Sequence, residues 1–156
     1  MTSSIVSSRV VPAAPDVVHD LLCDVEAWAL WSPHIASVDP PGGRAVAGWS
    51  GGVRAWFSPR PVEMIVDAAP PAGGLRWHSH ALGHTLRYGN LVEASGSGSR
   101  VTFRAVVEGP AGGLLTALAR PVSAFGQRRR LRRLDALARV VAPAGQRVTS
   151  SRRRRS

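Results

Sequence analysis

The chain has 156 residues, 44% of them hydrophobic, a single cysteine and a formal net charge of +10. That length suits one domain burying roughly 70% of its unfolded surface, and the lone Cys23 excludes an internal disulfide framework. The charge is local: residues 128–156 hold eleven arginines against one acid, Asp135, whereas residues 1–127 balance nine arginines with nine acids.

Lysine is absent throughout, so arginine serves as the general surface cation and the basicity belongs to the chain's end rather than to the fold. The N-terminus carries neither a basic region nor an apolar run of signal-peptide length, and no stretch approaches the roughly 18 apolar residues of a membrane span. A soluble cytoplasmic protein is expected.

Residues 5–11 are β-branched and alternating enough for a first strand, stopped by Pro12. In the next stretch, Pro15 and Asp16 suit the first turn of a helix, and Val17, Val18, Leu21, Leu22 and Val25 recur on one face. Trp28 and Trp31 share a face of a second short helical turn that Pro33 ends, and both read as packing at one end of the fold. A second strand begins over 35–38 and stops at Asp39-Pro40-Pro41-Gly42-Gly43. Residues 44–50 and 53–57 read as strand, with Gly51-Gly52 between them as either a hairpin turn or a bulge.

Further strands are expected over 62–68, 75–81, 84–94 and 101–107. Trp77 alternates with Arg76, His78 and His80, and Val101, Phe103, Ala105 and Val107 form an inward set. A helix follows over roughly 112–141. Leu114, Ala117, Leu118, Val122 and Phe125 form one apolar face, and Leu131, Leu134, Ala138 and Val141 another; Pro121 and Gly126 predict a kink between them. Residues 143–156 read as a disordered Arg-rich tail following a domain of residues 1–142. The expected architecture is α+β: a curved antiparallel sheet of about seven strands wrapped around a long C-terminal helix, with two short helices after the first strand.

Three places in the chain carry a family likeness. They are Pro15-Asp16-Val17-Val18 with Asp24-x-x-x-Trp28-x-x-Trp31-x-Pro33-x-Ile35; Leu75-x-Trp77 with Gly83-His84-Thr85-Leu86; and Gly98-Ser99-Arg100-Val101-Thr102-Phe103 leading through Glu108-Gly109 to Leu114-Leu115. In this order and spacing, over about residues 4–141, the chain resembles the START-like (SRPBCC, Bet v 1-like) superfamily with the helix-grip fold. The similarity is greatest to its bacterial polyketide cyclase/dehydrase and lipid-transport group. The resemblance implies a hydrophobic cavity between sheet and long helix. It does not imply a reaction, because one fold serves many functions.

The residues expected to line that cavity are Phe57, Met64, Trp77, His84, Leu86, Tyr88, Phe103, Leu118 and Phe125. His84 and Tyr88 are the candidate proton-transfer groups, and Arg54 and Arg104 are further candidates for orienting a polar ligand unless they point to solvent. His84 has an equally simple structural reading, hydrogen-bonded near a strand end. His78 and His80 share a face with Arg76, so no metal site is expected there, and no cofactor is implied. Of the arginines in 128–133, most should be solvated, while one near the kink could enter the cavity or pair with an acid.

Two uses of such a cavity follow. One is binding of a hydrophobic or aromatic small molecule of lipid, polyketide or quinone type. The other is a polyketide cyclase/dehydratase-type enzyme, which needs two or more titratable groups converging inside the cavity. A third reading, contact with nucleic acid, rests only on the tail. The oligomeric state, monomer or homodimer, is not written in these residues.

Overall fold

The computed structural model describes residues 4–142. The Arg-rich segment 143–156, and with it any nucleic-acid contact through that segment, lies outside the described residues. Seven strands form one antiparallel sheet: β1 (Ile5–Val11), β2 (Ile35–Asp39), β3 (Ser50–Ala55), β4 (Val62–Ala68), β5 (Gly74–Ala81), β6 (His84–Ser95) and β7 (Gly98–Glu108). Helices α1 (Pro15–Cys23) and α2 (Trp28–Trp31) connect β1 to β2, and α3 (Gly112–Val141) follows β7. The strand order β1-β7-β6-β5-β4-β3-β2 means that the helical pair carries the chain from one edge of the sheet to the other. The chain then returns strand by strand until β7 pairs with β1. This is the helix-grip arrangement, a curved sheet around a long C-terminal helix.

The alternation in the strands sets the two faces of the sheet. Trp77 pairs with Tyr88, and Tyr88 with Ala105, on the inner face; Arg76, Gly89 and Arg104 form the corresponding outer row. Two expectations for this region need correction. Residues 44–49 are not a strand; they form an irregular segment held by the bridge between Asp24 and Arg44 and by backbone hydrogen bonds to Cys23 and Val66, and strand begins only at Ser50. Gly51-Gly52 is neither a hairpin nor a bulge, since both glycines lie inside β3 and pair in register with β4; the irregularity sits in β2, between Ile35 and Ser37.

Helix α1 buries Val18, Leu21, Leu22 and Cys23, the stripe its periodicity predicts, and it buries His19 as well. The Gly74 N–H donates to His19 Nδ1 at 3.1 Å, and the Cys23 sulfur lies 3.5 Å from Nε2. Burial is the main cause of a lowered His19 pKa, with Arg44 adding to it, so the ring is neutral and accepts this bond. Gly74 must be glycine: its φ is +100°, and a Cβ there would stand 1.8 Å from the Asn90 carbonyl oxygen. This junction fixes α1 against the start of β5.

Helix α3 is helical throughout, with Pro121 inside it. Its two halves behave differently. The C-terminal half buries Leu131, Leu134 and Ala138 as expected, and Asp135 between them receives Arg9 Nε from β1 at 2.8 Å and Arg139 Nε at 2.9 Å. The N-terminal half buries Gly112 and Thr116 and leaves Leu114, Leu118, Val122 and Phe125 exposed. The Thr116 hydroxyl donates to the Gly112 carbonyl and accepts from the Val107 N–H, while Gln127 Nε2 donates to the Ile5 carbonyl. Small and polar residues therefore face the sheet here, and the apolar stripe faces out. Among the described residues, no helix is long and apolar enough to cross a membrane.

Candidate functional site

Between the inner face of the sheet, α2 and the middle of α3 lies a cavity of about 80 Å³. The sheet contributes Met64, Leu75, Trp77, Tyr88 and Asn90 to its wall; Trp28, Trp31 and His34 come from the N-terminal crossover, and Arg130 comes from α3. Trp77 and Tyr88, cross-strand partners on β5 and β6, stack with ring centroids 3.9 Å apart and 18° between planes. The Trp28 and Trp31 indole N–H groups donate to the carbonyls of Leu22 and Leu21, at 2.8 and 3.2 Å. These bonds hold both rings against the end of α1, so they serve as packing and as cavity wall together.

Arg130 is the unusual member. Its Cζ lies 4.9 Å from the Phe103 ring centroid and 5.2 Å from that of Trp31, and its buried Nε has no hydrogen-bond partner among the described residues. Two aromatic faces supply cation–π attraction, but no carboxylate among the described residues neutralises the charge. Burial consequently pulls its pKa down from 12.5 to about 10, which still leaves it cationic at neutral pH. His34 responds to the same environment. Burial first, then the Arg130 charge, lower its pKa from 6.5 to about 4, so the imidazole is neutral. Burial raises the Tyr88 pKa, keeping its phenol protonated. Asn90, 3% exposed, lies opposite Leu75 on one side and Phe103 on the other, and its Nδ2 also lacks a partner.

Of the residues expected to line a cavity, Met64, Trp77 and Tyr88 do so. Phe103 lies beneath Arg130 as part of the buried core, and Leu86 sits on the inner face two residues before Tyr88, outside the lining. Three expectations are corrected. Phe57 lies in the turn after β3, 68% exposed and edge-on to Trp56. Leu118 and Phe125, 68% and 63% exposed, are turned outward because α3 presents Thr116 and Gln127 to the protein instead.

His84 also lies away from the cavity. Its Nδ1 is 2.8 Å from the Leu82 carbonyl oxygen and its Nε2 is 2.6 Å from that of Pro110, so it clasps the β5–β6 turn to the segment before α3. Four residues of strand, about 13 Å, separate it from Tyr88, too far for both to serve one reacting group. Arg54 Nε donates to Ser37 Oγ, and Arg104 stands in the outer row of the sheet. His78 Nδ1 pairs with Asp67 at 2.7 Å on that outer face. Among the described residues, no three His, Cys, Asp or Glu side chains gather as a metal-ligand set.

Sequence reasoning did not single out His34, Asn90 or, by number, Arg130. A signal existed for Arg130: it lies four residues before Leu134 and three after Gln127, on the stripe that α3 buries. Nothing in the spacing marks Asn90 beyond its inward parity on β6.

Several solved structures share this architecture at low sequence identity. DynU16, a protein of the dynemicin biosynthetic locus, superposes with a TM-score of 0.68 at 18% identity; the match covers 90% of this chain and 48% of that one, so this chain spans about half its length. TTHA0849 from Thermus thermophilus gives 0.66 at 20% identity, covering 90% of this chain and all of the other. Ara h 8.0201 gives 0.63 at 14% identity, covering 88% and 98%. No curated protein matches the sequence. The family described as polyketide cyclase / dehydrase and lipid transport matches residues 2–142, nearly the whole chain. With the sheet, the gripped helix and the enclosed cavity in place, the chain belongs to that family.

Proposed function

We propose that this protein binds a hydrophobic or aromatic small molecule, of lipid, polyketide or quinone type, in the cavity between the sheet and α3. The observation that carries this reading is the aromatic wall of Trp28, Trp31, Trp77 and Tyr88 around an interior guanidinium. Removing an apolar ring system from water drives binding, and a few polar groups orient it. An apolar cavity of about 150 Å³ accommodates benzene. The 80 Å³ found here is smaller, so the proposed binding of a ring system requires the walls to open. With its one cysteine buried and free, the chain needs no oxidising compartment, which supports a cytoplasmic setting for the binding.

A second reading, a cyclase/dehydratase-type enzyme, is favoured by the convergence of His34, Tyr88 and Arg130 on one cavity. Magnitudes rank it second. General acid–base groups work best with pKa values near the operating pH. His34 titrates near 4, and the Tyr88 phenol lies above its ordinary value of 10. Neither group is poised to exchange protons at pH 7, whereas all three suit holding a ligand's oxygens.

Thermal-shift and tryptophan-fluorescence titrations against aromatic polyketides, fatty acids and quinones test the binding reading. A ligand of one of these classes should raise the melting temperature and quench the wall tryptophans. If none does so at millimolar concentration, the reading fails. Mass spectrometry of a bound poly-carbonyl chain separates the two uses: release unchanged supports carriage, whereas loss of water on the protein supports catalysis.

A further inference from the structure

Two of the buried donors at the cavity have no acceptor among the described residues. Arg130 can only donate, and its buried Nε is unmatched. The Asn90 Nδ2 is likewise an unmatched donor on a side chain that is 3% exposed. In the sheet, Asn90 lies directly opposite Phe103, the ring over which the Arg130 guanidinium rests, so both donors belong to one corner of the cavity. The Tyr88 phenol, which can both donate and accept, adds an O–H to the same lining.

No acid answers them. Among the described residues, the arginine–carboxylate pairs found lie elsewhere, at Arg9–Asp135–Arg139, Arg44–Asp20 and Arg87 with Glu108 and Asp67. A guanidinium with its Nε buried and no carboxylate beside it is costly to keep, and a protein that wanted only a packed core would do better with an apolar side chain there. Such a residue makes sense when the missing acceptor arrives with the ligand.

We infer that the cavity's ligand is an amphipathic acid, whose carboxylate oxygens accept hydrogen bonds from Arg130 and Asn90 while its apolar body lies along Trp77, Tyr88, Met64 and Trp28. This rests on the binding reading above and adds the charge class of the ligand. The guanidinium fork matches the two oxygens of a carboxylate, and its planar face stays against Phe103 and Trp31 when its edge is engaged. A hydrocarbon would fill the apolar part and leave both donors unmet, and a neutral oxygen would accept a hydrogen bond without compensating the guanidinium charge.

The test uses matched pairs that share a skeleton and differ in the head group: 2-naphthoic acid against 2-naphthalenemethanol, and dodecanoic acid against dodecanol. Titration calorimetry at pH 7 on the full chain should give the acid of at least one pair an affinity at least tenfold above its alcohol, the scale expected of a charge-assisted hydrogen bond. Arg130→Met should remove that preference and leave the alcohol's affinity within about threefold, since the apolar wall is untouched. Arg130→Lys, which keeps the charge but loses the fork, should retain part of the preference and covers the case in which the methionine variant does not fold. Equal affinity of acid and alcohol in the wild type overturns the inference and leaves the binding reading standing. Preference for the acid that survives in Arg130→Met also overturns it. Binding of neither member of either pair also overturns the inference of an acid, while the binding reading stands or falls on the wider titration with polyketides, fatty acids and quinones.

Discussion

The Arg130 guanidinium rests 4.9 Å from the centroid of Phe103, a ring that is itself 1% exposed. A cation is thus held against the hydrophobic core, flanked by two π-faces and with its Nε unmatched among the described residues. Cation–π attraction recovers up to about 2 kcal/mol at such a site. The lowering of the arginine's pKa from 12.5 to about 10 corresponds to roughly 3 kcal/mol against the charged form. Desolvation wins, and the ligand-free protein carries that cost.

Arg130→Met is therefore expected to stabilise the ligand-free protein, by about 1–3 kcal/mol, because an unpaired buried charge is exchanged for a flexible apolar side chain. Urea denaturation at pH 7 measures this. A loss of stability would mean that the arginine's aromatic contacts outweigh its desolvation.

Stability should fall on acidification between pH 6.5 and about 4. His34 and His19 both have folded-state pKa values below their ordinary 6.5, and for His34 the value is about 4. Below pH 6.5 the unfolded chain takes up protons that the folded rings refuse, so the stability present above that pH is lost as pH falls, levelling once the folded state protonates. The denaturation midpoint at pH 7.5, 5.5 and 4.5 follows this slope, and His34→Gln should flatten part of it. An unchanged slope in that variant would assign the effect to other groups.

Gly74→Ala should cost about 2–4 kcal/mol. The added methyl meets the Asn90 carbonyl oxygen at a backbone conformation of φ +100°, and the displaced N–H abandons the buried His19 ring. Calorimetric melting would register this as a large fall in Tm. A shift below about 1 kcal/mol would show that the β5 start and α1 adjust independently.

Asp135→Asn should destabilise by about 1–3 kcal/mol. The carboxylate is 3% exposed and joins β1 to α3 through Arg9 and Arg139, but both arginines reach solvent, which limits the loss. Chemical denaturation of the single variant and of its double with Arg9→Ala gives the coupling, and additive effects would remove the bridge between strand and helix from the account.

The two halves of α3 should respond oppositely to truncation. Leu134→Ala, at a fully buried position, should cost about 2–5 kcal/mol. Leu118→Ser and Phe125→Ser, at exposed positions, should each stay within about 0.5 kcal/mol of wild type and leave ligand affinity unchanged. A large effect of either serine variant on affinity would return that half of the helix to the binding site.

The amino-acid sequence determined the order and kind of nearly every element, because period-two alternation, period-3.6 stripes and Gly/Pro punctuation are local properties of the chain. Most strands, the long helix and the helical pair with its two tryptophans were legible, as was the family likeness they compose, whereas the strand expected over 44–50 was not there. What the tertiary structure decided is which side of an element meets which neighbour. Leu118 and Phe125 form an apolar face by spacing, yet close approach of Gly112 to the Val107 carbonyl and the hydrogen bonds of Thr116 and Gln127 turn the opposite face inward. The spacing allowed one arginine of 128–133 to enter the cavity without saying which, and packing of Leu131 and Leu134 makes it Arg130. The site's polar corner joins His34, Asn90 and Arg130, which stand far apart along the chain. Their convergence depends on the register of β6 with β7 and on the docking of α3, and neither is encoded near any one of them.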